Sequence, residues 1–337
     1  MIPHNLPTLG LEERAAVARV LESGWVAQGP EVEAFEHELC RFLDLPESHA
    51  VAVSSGSAAL YLALWALRGK NKRVGLPVYA CAALRNAVGL VDGRCVYLDS
   101  REGSPNVDMD AAARMGIDIL IAPSMFGIPV DFSEAQNFMM IEDIAQSLGA
   151  MSSGERIGLR GAVGICSFYA TKLMTTGGQG GALVSRDKAL IEKVRDYREF
   201  DCRDDTKLRF NFQMTDLQAA VGRVQLGKLT EFLDQRERLF GIYREAGLDL
   251  LDTSTATSRS VRYRAVMRCS EPMRLIAALR DNGVRAIVPV ERGELLDDPE
   301  KYPVAAGFAR ACISLPLYPV LAPIDAHRIA GIAKNFA

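Results

Sequence analysis

Asp143, Gln146, Ser167 and Lys172 are the residues of this chain whose types and spacing best suit chemistry. Asp143 closes the apolar run Phe138-Met139-Met140-Ile141-Glu142-Asp143, and Gln146 stands three positions further on. Ser167 precedes Lys172 by five positions in Ser167-Phe168-Tyr169-Ala170-Thr171-Lys172. An amine can form a Schiff base with an aldehyde, an acid can pair with a pyridine nitrogen, and a hydroxyl near the amine can hold a phosphate. Together these are the parts of a pyridoxal 5′-phosphate site. Lys172 lies in a stretch of small and polar residues, Ala170 to Gly181, unlike a core. A desolvated lysine can fall from about 10.4 toward roughly 7–8, which makes it both nucleophile and proton carrier. Asp143 has two open readings, as the partner of a ring nitrogen or as the N-cap of a helix that follows it. On that helix Gln146 would face the same way as Asp143 and could bond a ring hydroxyl.

Two further places belong to the same edge. Ser54-Ser55-Gly56-Ser57-Ala58-Ala59 follows a β-branched run and opens a helical one. Small residues let the backbone approach a phosphate, and a helix N-terminus supplies N–H donors, although such turns are common without any ligand. Tyr79 ends another run after Pro77, where it could stack on a cofactor ring or be an ordinary half-buried tyrosine. The Gly177-Gly178-Gln179-Gly180-Gly181 run has neither P-loop nor dinucleotide-fingerprint spacing and reads as a turn into a strand.

The elements that must position these residues alternate. Strand-like runs at 50–54, 73–78, 94–99, 118–126, 138–143, 164–169 and 181–185 are separated by helical patterns such as 57–67 and 80–90. Helices are also expected at 11–23, 31–44 and, as one long element, from Met214 to about Tyr243. This is an α/β pattern with a mostly parallel sheet covered on both faces. The candidate groups then fall just past carboxyl ends of strands, where such sheets bind ligands. After about residue 245 the pattern changes to strand 261–268, helix 272–282, strand 284–290 and a final helix, so the expected division is a large α/β domain, 1–245, and a small α+β domain, 246–337. Residues 201–209 read as a charged, mobile loop.

With 337 residues and a net charge of −3, the chain carries no basic footprint for nucleic acid. No apolar run is long enough to span a bilayer, and Met-Ile-Pro-His-Asn does not resemble a signal peptide. The seven cysteines are odd in number and form no C-x-x-C pair, which fits free thiols in a reducing cytoplasm. No Cys/His cluster has metal-ligand spacing.

The ordered set Gly24-Trp25-Val26-Ala27-Gln28-Gly29-Pro30, Ser54–Leu60, Glu142–Gln146, Ser167–Lys172, Asn211–Ala220 and Ser314–Pro319 resembles the DegT/DnrJ/EryC1/StrS family of pyridoxal phosphate-dependent sugar aminotransferases, almost end to end. The resemblance implies fold type I, with a seven-stranded sheet. It implies Lys172 as the lysine that bonds the cofactor, Asp143 on the pyridine nitrogen and Gln146 on the 3-hydroxyl. Gly56, Ser57 and Ser167 would hold the phosphate, Tyr79 would stack on the ring, and Asn211 would reach the neighbouring subunit's cofactor in a homodimer. The implied reaction is ping-pong transfer from an amino acid, by default glutamate, to a keto group, usually on a nucleotide-linked sugar. Lys172 argues against the dehydratase branch, which has His there. Acceptor-side departures, such as Pro123-Ser124-Met125-Phe126-Gly127 without a His and Gln213 in place of Arg, leave open a non-sugar acceptor or a non-catalytic sensor.

Overall fold

A computed structural model describes residues 1–132, 137–252, 254 and 257–336. Seven strands build the central sheet: β1 (Ala50–Val53), β2 (Arg73–Pro77), β3 (Arg94–Leu98), β4 (Ile119–Pro123), β5 (Met139–Asp143), β6 (Val163–Ser167) and β7 (Gly181–Val184). Their order is β1-β7-β6-β5-β4-β2-β3. Only β7 runs against its neighbours, β1 and β6; the other pairings are parallel. β1, β4 and β7 are buried at every position, as uninterrupted apolar strands must be when helices cover both faces. The large sheet and the smaller C-terminal α+β region together have the fold type I architecture.

The helices are α1 (Leu11–Ser23), α2 (Pro30–Phe42), α3 (Gly56–Ala66), α4 (Ala83–Leu90), α5 (Met109–Arg114), α6 (Lys188–Arg198), α7 (Asp216–Glu245), α8 (Pro272–Asp281), α9 (Pro303–Ala311) and α10 (Pro323–Ala333). The 30-residue α7 starts at a capping box between Thr215 and Gln218. Its first half packs under the large sheet, and Leu239, Phe240 and Tyr243 near its end join the C-terminal core. That core rests on the two-stranded antiparallel sheet of β8 (Ala265–Arg268) and β9 (Cys312–Leu315).

Three expectations are corrected. No helix follows Asp143: Ile144–Ala150 form successive turns, with Ser147 N–H on Ile144 O and Ala150 N–H on Ser147 O, closed by Gly149 at φ 92°. Residues 284–290 make no strand, only single bridges to Ile2 and Ser314. Helix α4 starts at Ala83 rather than 80, which leaves 80–82 as irregular backbone. In the charged loop at 201–209, Arg203, Lys207 and Arg209 all pair with Asp196 of α6.

The N-terminal segment crosses between the two regions. Ile2 N–H bonds Gly283 O, His4 bonds Ser314 Oγ at 2.8 Å, and Asn5 Nδ2 donates to Thr171 O at 2.9 Å, one residue from Lys172.

At the other side of the sheet edge, β7 begins against the cap of α3. A Cβ placed on Gly181 would stand 2.4 Å from the Ser55 carbonyl. The Gly181→Ala variant is expected to lose about 1–3 kcal/mol of stability through forced backbone displacement, read as a lowered urea midpoint.

Candidate active site

The carboxyl ends of β1, β2, β4, β5 and β6 surround a cavity of about 240 Å³. Gly56, Ser57, Asp143, Gln146, Ser167 and Lys172 all line it. Lys172 and Asp143 therefore face one space, with room between them for a small ring.

The floor is built by close backbone approach. Ser55 caps α3 by accepting the Ala58 N–H at 3.1 Å, and the first-turn N–H groups of Gly56 and Ser57 have no acceptor within the helix. A Cβ on Gly56 would stand 2.8 Å from the Ser167 Cβ, so only glycine lets the helix start meet Ser167. A helix N-terminus flanked by two serine hydroxyls is a cradle for an anion.

Two adjacent acids end β5, and strand alternation separates them. Glu142 turns away from the cavity and accepts the N–H groups of Gly158, Arg160 and Gly161 at 2.8, 2.6 and 2.6 Å. Asp143 turns into the cavity, 7 % exposed, and its Oδ1 accepts the Ala145 N–H at 3.0 Å. Burial pushes its carboxyl above the ordinary range, against the pull of the Ala145 N–H and the Lys172 charge. Gln146 is fixed by the Phe126 N–H, which donates to its Oε1 at 2.8 Å. This bond sits on a strained residue, since buried Phe126 has φ 59°. It leaves the amide nitrogen, with only the Met125 sulfur at 3.9 Å, as the donor on the cavity side.

Lys172 follows a tight turn after β6, its N–H on Tyr169 O. Its Nζ lies 5.4 Å from the ring centroid of Tyr263, which the sequence reading did not single out. Burial pushes the Tyr263 phenol up, but the Lys172 and Arg264 charges, with hydrogen bonds to Arg264 and Thr171, more than offset it and hold it below its usual value. Only the run 261–268 marked this place in the sequence.

Tyr79 and Asn211 are not at the cavity wall. Tyr79 has no exposed surface; its ring lies between Phe126, at 6.1 Å, and Phe308, at 5.8 Å, so it offers no face to a ligand ring. Ala80 and Cys81 form that wall instead. Asn211 is exposed and accepts the Gln213 N–H, next to Phe212, whose carbonyl bonds the Ser54 N–H.

A family model for the DegT/DnrJ/EryC1/StrS aminotransferase family matches residues 7–333. The chain belongs to that family. A DegT/DnrJ/EryC1/StrS relative from Saccharopolyspora erythraea, the erythromycin biosynthesis sensory transduction protein EryC1, is 30 % identical over 95 % of this chain and 93 % of its own. The dTDP-3-amino-3,4,6-trideoxy-alpha-D-glucose transaminase of Streptomyces venezuelae is 31 % identical, covering 98 % of this chain and 93 % of its own. The crystal structure of S. venezuelae DesV, in complex with a ketimine intermediate, superposes with a TM-score of 0.88 at 29 % identity, over 96 % of this chain and 94 % of that one. Membership makes the chain an aminotransferase of the pyridoxal phosphate-dependent class. Among the described residues, no helix is long and apolar enough to cross a membrane, and no three His, Cys, Asp or Glu side chains are grouped to hold a metal ion.

The Asp143 environment has a measurable consequence in cofactor-free protein. A carboxyl raised by folding stabilises the fold fully below its unfolded value and loses that contribution as pH rises through its folded value. Cofactor-free Asp143→Asn is therefore expected to be more stable than the parent at about pH 8, with the difference shrinking toward about pH 5. Urea melts of both proteins at the two pH values check this; a gap that widens on acidification contradicts it.

Proposed function

We propose that the cavity holds pyridoxal 5′-phosphate and that the enzyme moves an amino group from an amino acid, by default glutamate, to a keto group on a nucleotide-linked sugar. The observation that carries this reading is the meeting of Lys172, Asp143 and the Gly56–Ser167 cradle in one cavity. The residues fit the cofactor on their own chemistry. Ser57, Ser167 and the start of α3 would hold the phosphate, Asp143 the pyridine nitrogen, and the Gln146 amide nitrogen the ring hydroxyl.

When bound, the cofactor supplies an electron sink for charge developing on the donor's Cα. The protein does the rest. The buried Asp143 carboxylate would keep a proton on the ring nitrogen. Lys172 would hold the cofactor covalently through its Nζ and, when freed by the donor's amine, that Nζ would carry the proton away from the donor's Cα.

The sugar acceptor draws support from the similarity to the S. venezuelae dTDP-3-amino-3,4,6-trideoxy-alpha-D-glucose transaminase. A homodimer draws support from the segment around Asn211. Leu208 and Phe210, in the segment leading to Asn211, are 91 % and 66 % exposed, apolar surface suited to a second subunit. Asn211 beside them would serve the partner's site.

A second reading, a cofactor-bound regulator without turnover, draws on the similarity to EryC1, a sensory transduction protein. Adding glutamate to cofactor-loaded protein separates the two. Transamination requires loss of the Schiff-base absorbance with release of 2-oxoglutarate, and the Lys172→Ala variant is expected to slow this by on the order of 10²–10⁴-fold. A spectrum unmoved by any amino acid supports the regulator instead.

A further inference from the structure

The run Val261–Arg264, which leads into β8, is fastened to several other parts of the molecule. The Val261 N–H bonds Gly127 O at 3.0 Å. Arg262 pairs with Glu237 of α7 at 2.6 Å and with Asp252 at 2.8 Å. The Tyr263 carbonyl accepts Nη1 of Arg236, a fully buried side chain of α7, at 3.2 Å. The Tyr263 side chain is buried, and its hydroxyl bonds Thr171 and Arg264. Thr171 is itself held by Asn5, whose Nδ2 donates to the Thr171 carbonyl. Backbone and phenol tip are both anchored, so the ring between them has a set position and plane.

The Lys172 Nζ lies 5.4 Å from the centroid of this ring, within the roughly 6 Å over which a cation is drawn to an aromatic face. The charge of Lys172 also reaches the Asp143 carboxyl, but the bond of that carboxyl goes to the Ala145 N–H. The difference between a ring and a carboxylate matters for an amine with chemistry to do. A carboxylate in contact favours the ammonium form and holds it by hydrogen bonds. A ring face attracts the cation without a directional bond and can give it up. A lysine stem left unguided has many rotamers, and time spent in those that point away from the reacting carbon slows the reaction.

We propose that the Tyr263 ring is the docking face of the Lys172 amine whenever that amine is not bonded to the cofactor. This rests on the transamination reading above, in which the donor's amine frees Nζ and Nζ then carries a proton. The ring keeps the freed amine from wandering among rotamers before the proton is delivered. Tyr263 acts on Nζ rather than on the cofactor or the donor, so it is a positioning residue. The aromatic face holds the amine and the hydroxyl sets the plane of that face. Phenylalanine can therefore replace it, and an aliphatic side chain cannot.

Pyridoxamine 5′-phosphate carries an amine in place of the aldehyde and leaves Lys172 free, so crystals of the protein loaded with it read the position directly. Nζ is expected within about 6 Å of the ring centroid in the parent and in Tyr263→Phe, and without a fixed place in Tyr263→Leu. The second readout is a single turnover of pyridoxal phosphate-loaded protein with glutamate and with α-deuterated glutamate. In Tyr263→Leu the rate is expected to fall on the order of 10–100-fold, with half-saturating glutamate within about threefold of the parent and a larger slowing by deuterium. Tyr263→Phe is expected to stay within about threefold of the parent rate. If Tyr263→Leu does not load cofactor, the crystals of the parent and of Tyr263→Phe still decide. Nζ away from the ring in the parent, Phe and Leu variants slowed alike, or Tyr263→Leu at the parent rate overturns the assignment while the cofactor reading stands. A parent that binds the cofactor but responds to no amino acid defeats the transamination reading and this assignment with it.

Discussion

A carboxylate taken out of water at the end of β5 is the constraint on which the rest of the site depends. Asp143 is buried with one backbone N–H as its fixed partner, and the nearest compensating charge comes from Lys172 across the cavity. Such an arrangement costs stability in the empty protein and is matched only when a cation occupies the space beside it. Glu142, next in the chain and equally buried, shows the contrast. Three backbone N–H groups bond it where Asp143 has one, although burial raises its carboxyl too.

The fold serves that constraint by bringing separate strand ends to one edge. The parallel pairing of β5 with β6 sets Asp143 beside the strand that ends in Ser167, and the antiparallel β7 returns Gly181 against the Ser55 carbonyl. Close backbone contacts at Gly56 and Gly181 hold the start of α3 at the cavity floor. The N-terminal segment, through Asn5 and Thr171, and Tyr263 from the C-terminal region restrain the Lys172 loop from two further sides. The second region thereby sets an aromatic ring beside the Lys172 amine.

What was legible in the sequence follows from the strength of each physical signal. The seven strands were readable because burial on both faces demands unbroken apolar runs, as in Ala50–Val53 and Ile119–Pro123. Lys172, Asp143 and their neighbours were readable because their order along the chain is distinctive. The turn after Asp143 was not, since Ile144-Ala145-Gln146-Ser147-Leu148 carries a helical pattern that Gly149 at positive φ and the fixed Gln146–Phe126 bond override. Tyr79 was misplaced because position along the chain does not reveal which residue of an irregular segment turns inward; its ring is held by Phe126 and Phe308, the latter more than two hundred residues away. Tyr263 was invisible for the same reason: its ring meets the Lys172 Nζ from the C-terminal region, and nothing in Val261-Arg262-Tyr263-Arg264 announces that contact.

The most direct measurement is borohydride reduction of the cofactor-loaded protein followed by peptide mapping. Expected is the mass of the reduced cofactor on Lys172 alone, with the label absent from Lys172→Ala and weakened in Asp143→Asn. Label on a different lysine, or none at all on protein that retains the cofactor, would contradict the pairing of Lys172 with Asp143 as the chemical centre of this enzyme.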